Sequence, residues 1–363
     1  MRAAVLNERP GKLSIEDIEI DAPVAGEIAI KVAASGLCHS DIHCMDGALT
    51  RPPVPAILGH ELSGVVTEVG QGVRGFDVGD HVVACLSMSC GACALCLSGQ
   101  AWLCIDKAAT ARPEGAPSVR SRNGEPVSAH CNLGGMAEYV VAHESQFVVI
   151  DKAMPLDIAC ILGCATVTGF GAVTRSAQVK VGETVAVLGC GGIGFNIIQG
   201  ARISGASKII AVDLNPAKLD TARELGATHV VDASARDAVA QVKELTGGVG
   251  VDHAFEAIGL TQTVQQSFAM ARVGGTAYVV GVLPAGGTVE IPTDDLWGGG
   301  KRLQGVVMGS NNFKVDIPAY VDLYLQGRLD LEKMISRRLT LDEVNEGYDA
   351  LLRGEVNRSI VVF

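Results

Sequence analysis

Thr184-Val-Ala-Val-Leu-Gly-Cys-Gly-Gly-Ile-Gly194 carries the strongest local pattern in the chain. A β-branched run over 184–188 predicts a buried strand, Gly189, Gly191 and Gly194 supply G-x-G-x-x-G, and the residues from Gly192 to Ser204 predict a helix. In that order the three parts form a phosphate cradle. The first glycine permits a tight turn, the second lets backbone approach a pyrophosphate, and the third lets the helix pack on the strand. Free N–H groups of the loop, which includes Gly192 and Ile193, then face the anion at a helix N-terminus. Asp213 stands 19 residues past Gly194 at the end of the next predicted strand, Lys208 to Val212. There a carboxylate accepts hydrogen bonds from an adenosine ribose and repels a 2'-phosphate, which favours NAD over NADP. Lys218 would flank the same ribose. A glycine turn with a purely structural role is outweighed by strand, helix and acid all being in place.

Working outward, strand-like and helix-like segments alternate from Thr184 onward: 208–212, a helix over 217–225 stopped by Gly226, then strands at 251–255 and 276–281. Alternation of this kind calls for parallel strands joined by helical crossovers, an α/β doubly wound sheet. The first half reads differently. Short β-branched runs at 28–32, 63–69, 81–84 and 137–142 lie between Gly, Asp and Pro, with no helix longer than a few turns before about residue 155, so a mainly β lobe is expected. The tail predicts amphipathic helices at 320–326 and 341–352 and a closing strand at 359–363 that returns to the first lobe. The charge-rich stretch 106–125 reads as a surface excursion.

A chain of 363 residues suggests about two domains. With 40 acidic against 29 basic side chains its net charge is -11, which argues against a nucleic-acid partner. The 48% hydrophobic and 19% charged composition excludes a disordered chain. Eleven cysteines without an apolar leader point to reduced thiols and a cytoplasmic protein. The one uncharged stretch long enough to suggest a membrane span, 82–105, carries five cysteines and reads as a metal loop.

Within it Cys90, Cys93, Cys96 and Cys104 form C-x2-C-x2-C-x7-C. Four thiolates complete a tetrahedral zinc shell and leave no open position, so this zinc would be structural. An iron–sulfur cluster would bring its fourth cysteine after three residues, followed by proline; here the gap is seven and Ile105 follows. Other potential ligands are dispersed through Cys38-His-Ser-Asp-Ile-His43, Gly59-His-Glu61 and Gly163-Cys164. Two thiolates and one imidazole would make a zinc site with a vacancy, but spacing alone does not assemble them.

Together, 36–43, 59–61, the four-cysteine loop, Gly163-Cys164 with Thr168-Gly169, and the 189–194 fingerprint with Asp213 resemble the zinc-containing alcohol dehydrogenases of the medium-chain dehydrogenase/reductase superfamily. The resemblance is collinear over essentially the whole chain. It implies a GroES-like catalytic domain over 1–165, a Rossmann-type NAD domain over 166–307, a return to the catalytic domain over 308–363, and an active site in the cleft between them. It also implies a small alcohol or aldehyde substrate, two zinc ions per chain, no membrane partner, and a homodimer or homotetramer. Cys38, His60 and Cys164 would hold the catalytic zinc, with Glu61 behind it and Asp41 orienting the ring of His60. Ser40 would take the alcohol proton and pass it through the cofactor ribose to His43. His39 and Arg358 match positions near the pyrophosphate, Thr168 lies beside the nicotinamide, and Val280, Val306 and Met308 meet its carboxamide.

Two departures bear on specificity. His39 stands where many relatives have arginine, so it should hold the pyrophosphate less firmly. Leu86 lies where an aromatic often narrows the substrate pocket. Ala108 and His43 argue against the glutathione-dependent formaldehyde branch, and the availability of Cys164 argues against a polyol dehydrogenase. The four-cysteine loop excludes a zinc-free quinone reductase, and the Ser40–His43 relay disfavours a non-catalytic NAD sensor. His81, His130, His143, His229 and His253 read as satisfied structural residues. Cys44, Cys85, Cys131, Cys160 and Cys190 read as small buried hydrophobes. The segment from Trp297 to Met308 reads either as a subunit-contact strand or as a cleft-lining loop.

Overall fold

The computed structural model describes residues 1–112 and 118–363; the middle of the predicted surface excursion therefore lies outside the described residues. The chain divides into two compact units, Met1–Cys164 with Asn312–Phe363, and Ala165–Asn311.

The second unit is built on the opening motif. Thr184–Leu188 is a strand and Gly192–Ser204 a helix, as the sequence predicts. The strand is the third of six in a parallel sheet ordered His229–Asp232, Lys208–Asp213, Thr184–Leu188, Val251–Glu256, Ala271–Val279 and Arg302–Gly305. Numbered along the chain this is three-two-one-four-five-six, so the order reverses beside Thr184–Leu188, where open α/β sheets bind ligands. Ala186, Leu188, Ile210, Val212, Val251 and Ala254 pack into one apolar cluster with Val242 and Met270. The helix Pro216–Leu225 begins one residue before the prediction because Asn215 caps it, its side chain accepting from Ala217 N–H at 3.0 Å with Pro216 in the first turn. Gly226, at φ 119°, ends it in a left-handed turn.

The first unit holds two sheets. One runs Phe147–Val149, His81–Ala84, Leu62–Val69, Glu27–Gly36, Ser359–Val362 and Arg337–Leu339, with Tyr139–His143 also paired to Glu27–Gly36. The other runs Val119–Ser121, Leu13–Ile20, Arg2–Leu6, Ala56–Ile57 and Ser128–Ala129. Arg2–Leu6 and Leu13–Ile20 are absent from the sequence reading, for physical reasons. Alanines have little β propensity, and the Glu16-Asp17 pair breaks the alternation of the second strand. The tail helix spans Phe313–Leu325 and carries Pro318 inside it, whereas the sequence reading starts it after that proline. The strand Ser359–Val362 pairs antiparallel with Glu27–Gly36, so the chain's end does return to the first unit. Among the described residues no single helix is long and apolar enough to cross a membrane.

Candidate metal and cofactor sites

The four-cysteine loop brings its sulfurs together. Cys93 caps the short helix Ala94–Leu97, and a 3-10 turn at Ala101–Leu103 swings Cys104 back. The Sγ atoms of Cys93 and Cys96 are 3.5 Å apart, and those of Cys90–Cys96 and Cys93–Cys104 are 4.0 Å apart. A tetrahedral zinc with bonds of about 2.3 Å to sulfur places neighbouring sulfurs about 3.8 Å apart, so the cage has the right size. Backbone N–H groups of Cys90 and Cys93 donate to Cys104 and Cys90 Sγ, each at 3.3 Å. N–H donors from Cys96 and Ile105 hold the Cys93 thiol down at about 6. Desolvation and the neighbouring Cys93 sulfur push Cys96 up to about 12. A dication at the centre removes that conflict and lets all four ionise.

The dispersed residues also converge, all within the first unit. Cys38 lies two residues past the strand Glu27–Gly36 and caps the helix His39–Met45, His60 follows Gly59, and Cys164 closes the turn Cys160–Gly163. Gly59 is required there by its φ of 87°. The ligand atoms of Cys38, His60 and Cys164 lie within 4.8 Å of one another. Ser40 Oγ donates to Cys38 Sγ at 3.1 Å and sits 3.4 Å from His60 Nε2, so Nε2 is the nitrogen that faces the sulfurs. The Cys164 thiol, donating to Cys38, draws Cys38 well below the usual thiol range; the same contact and burial push Cys164 up. Burial alone would lower His60, but Asp41 and the two sulfurs outweigh it and raise it. A divalent ion fits this donor set and leaves one position open.

Glu61 lies buried beside the set, and a Cβ at Gly36 would strike its carboxylate. Arg358 is buried rather than exposed: one guanidinium nitrogen donates to the Leu37 carbonyl at 2.9 Å, and the other approaches Glu61 at 3.3 Å. His43 packs edge-on against His39, with ring centroids 5.3 Å apart, and stands 3.9 Å from Asp46.

Asp41 does more than the sequence suggests. Its carboxylate accepts from Cys38 N–H at 3.2 Å, Gly59 N–H at 3.1 Å, His130 Nδ1 at 3.0 Å and Tyr348 OH at 3.2 Å. Burial would raise its pKa, but the His60 and His130 imidazoles hold the carboxyl far below the usual range. Sequence reading leaves His130 as structural and does not single out Tyr348, since nothing in the sequence signals a partner on a distant helix. Four of the five unassigned cysteines are buried. Cys131 is not: it is half-buried, in the left-handed region at φ 56°, beside His130. His143, His229 and His253 find hydrogen-bond partners in Ser145, Thr228 and Glu183.

The second unit carries the glycine-rich turn. Gly189 has φ 94°, and a Cβ there would strike Ile258; a Cβ on Gly194 would strike the Gly189 carbonyl. Both glycines are therefore demanded by the protein itself. Gly191 is not: its φ is -99°, and among the described residues, its chain neighbours aside, no atom lies within 4 Å of where a Cβ would stand. That open cradle, at the N-terminus of Gly192–Ser204, fits a pyrophosphate. Gly192 and Ile193 are partly exposed beside it. Asp213 Oδ2 accepts from Cys190 N–H at 2.7 Å and Oδ1 from Asn215 N–H at 2.9 Å, so the acid also braces the turn. Lys218 follows in the first turn of Pro216–Leu225. Thr168 Oγ1 donates to Met308 Sδ at 3.5 Å, and Val306 N–H donates to the Val279 carbonyl next to Val280. Trp297 ends the helix Thr293–Trp297, 90% exposed, ahead of the sheet's edge strand Arg302–Gly305.

A GroES-like β unit joined to a doubly wound dinucleotide unit, with two thiolate metal sets, defines a zinc-containing oxidoreductase. Residues 24–152 match the alcohol dehydrogenase GroES-like domain and residues 192–325 the zinc-binding dehydrogenase domain. The chain is 38% identical to an NDMA-dependent alcohol dehydrogenase of Amycolatopsis methanolica over 99% of its own length and 98% of that protein's. It is 35% identical to a class-3 alcohol dehydrogenase of Cereibacter sphaeroides, covering 100% and 99%. Among solved structures, benzyl alcohol dehydrogenase from Acinetobacter calcoaceticus aligns with TM-score 0.93 at 32% identity, covering 100% and 99%. The chain belongs to the zinc-containing alcohol dehydrogenase family of the medium-chain dehydrogenase/reductase superfamily.

Proposed function

We propose that this protein oxidises a primary or secondary alcohol to the aldehyde or ketone, reversibly, with NAD as hydride acceptor and two zinc ions per chain. The observation that carries the reading is the convergence of Cys38, His60 and Cys164 around Ser40. Zinc, when bound, supplies a Lewis acid, and NAD supplies the acceptor for the hydride. Cys38, His60 and Cys164 would hold the catalytic ion, and Cys90, Cys93, Cys96 and Cys104 the structural one. Ser40 Oγ, already at hydrogen-bonding distance from the sulfur of Cys38, would accept the substrate's hydroxyl proton while giving up its own, and the partly exposed His43 would release a proton to solvent at the outer end of the relay. Glu61 and Arg358 balance each other's charge beside the donors. Gly191, Gly192, Ile193 and Asp213 would seat the dinucleotide, with Thr168, Val280, Val306 and Met308 toward its nicotinamide end.

A screen of NAD reduction across alcohols graded by chain length, branching and aromaticity tests activity, acceptor and pocket size together. Cys38→Ser should abolish turnover and lose one metal while the fold remains; retained turnover would refute the site. A second reading concerns the acceptor alone. Because one relative is named as NDMA-dependent, the same screen is run with NDMA, and turnover with NDMA but not with added NAD would select it. We also read the protein as a cytoplasmic homodimer or homotetramer, which gel filtration with light scattering decides for the assembly.

A further inference from the structure

Asp41 faces two imidazoles, and the one it holds better is not the metal donor. His130 Nδ1 lies 3.0 Å from Asp41 Oδ1, and since a carboxylate only accepts, the proton of that bond is on His130. His60 Nδ1 stands 3.3 Å from the same oxygen, at an angle that leaves it without a hydrogen-bond partner. The two rings cross edge to face, 5.2 Å between centroids. We propose that His130 is a positioning residue for the catalytic metal: it occupies the charge of Asp41 that His60 would otherwise receive, keeping His60 a weaker donor. The proposal rests on the reading of Cys38, His60 and Cys164 as the catalytic metal set.

A carboxylate bonded to the far nitrogen of a ligand imidazole makes the ring more basic and the metal more tightly held. Every other donor on the same oxygen weakens that effect. Removing His130 would not release Asp41, because the carboxylate is fully buried and Gly59 N–H, Cys38 N–H and Tyr348 OH still hold it. What changes is the charge available to His60. His130 is itself firmly placed: its carbonyl accepts from Leu133 and Gly134 N–H at 3.0 and 3.1 Å. The next residue, Cys131, sits in the left-handed region with its carbonyl bonded to buried Gln146 at 3.0 Å. A non-glycine residue kept there by a buried partner marks a loop whose placement is over-determined.

The test loads the full chain with cadmium-113 and compares wild type, His130→Phe and His130→Gln by cadmium NMR, together with the rate at which each metal leaves to EDTA. Wild type should show two resonances, the four-sulfur one serving as an internal reference that no variant moves. In His130→Phe the second resonance should shift and its metal should leave about tenfold more slowly. His130→Gln, whose amide can still donate to Asp41, should restore both toward wild type. His130→Leu makes the same change in a smaller side chain should the phenylalanine not be accommodated. A second resonance that stays put, metal that leaves faster, or a glutamine that behaves as phenylalanine overturns the proposal. A wild-type protein with only the four-sulfur resonance overturns instead the reading of the catalytic metal set.

Discussion

Three glycines of one motif do three separate jobs, and single substitutions separate them. Alanine at Gly194 would strike the Gly189 carbonyl, so Gly194→Ala should cost about 1–3 kcal/mol of stability, read from urea unfolding. Gly191→Ala meets no atom of the described residues beyond its chain neighbours within 4 Å and has a backbone open to any residue, so its stability should change by less than about 0.5 kcal/mol. Its methyl group fills the cradle instead, and affinity for NAD, measured by fluorescence titration, should fall at least tenfold. Equal NAD binding in wild type and Gly191→Ala would remove the main structural argument for the pyrophosphate seat. Asp213 braces the turn through its bonds to Cys190 and Asn215 N–H, and on the proposed reading it would also meet the ribose. Asp213→Gly should therefore raise the NADP to NAD ratio of kcat/KM while lowering the value for NAD itself. An unchanged ratio would show that the acid is not the selector.

At the scale of elements, the parallel strands are tied at their starts by a side chain that no motif announces. Asp252 opens toward Thr184, accepting from its N–H at 2.8 Å and its hydroxyl at 2.7 Å, and from Arg272 Nε at 2.7 Å. Burial would raise its pKa, but these donors from Thr184 and Arg272 lower it below the ordinary carboxylate value. A group whose folded pKa is depressed stabilises fully above its unfolded value and loses that contribution as pH falls through the folded one. Asp252→Asn turns its NH2 toward a donor, either Thr184 N–H or Arg272 Nε, and should cost about 1–3 kcal/mol at neutral pH. The gap between wild type and variant should narrow once the pH drops below about 4. A gap that stays constant across that range would mean the carboxylate's charge contributes nothing.

At the scale of the whole molecule, the first unit is completed only when the chain's end comes back to it. Ser359–Val362 lies between Glu27–Gly36 and Arg337–Leu339, with Ile360 and Val361 fully buried. Ending the chain at Arg358 should cost about 3–6 kcal/mol from those two side chains alone. Calorimetry should show the first unit's transition lowered or lost while the second unit, 165–311, keeps its own. Zinc analysis of the intact chain should return two equivalents, and iron with visible absorbance would exclude the four-thiolate zinc assignment.

Features that depend on neighbouring residues are legible in the residues themselves. Thr184 to Gly194 has strand, turn and helix signals inside eleven residues, and the four cysteines of the 90–104 loop meet through two short local turns, Ala94–Leu97 and Ala101–Leu103. The tertiary structure alone decided what depends on distant segments meeting. It brought Cys164 to Cys38 and His60, a trio that spacing could not assemble and only resemblance suggested. It also turned Arg358 inward onto Glu61, and hung His130 and Tyr348 on one carboxylate, 89 and 307 residues away along the chain. Residue type records what a side chain can bond. Which partner it meets is set by sheet pairings such as Ser359–Val362 on Glu27–Gly36, and these leave no periodic trace around a lone histidine or tyrosine.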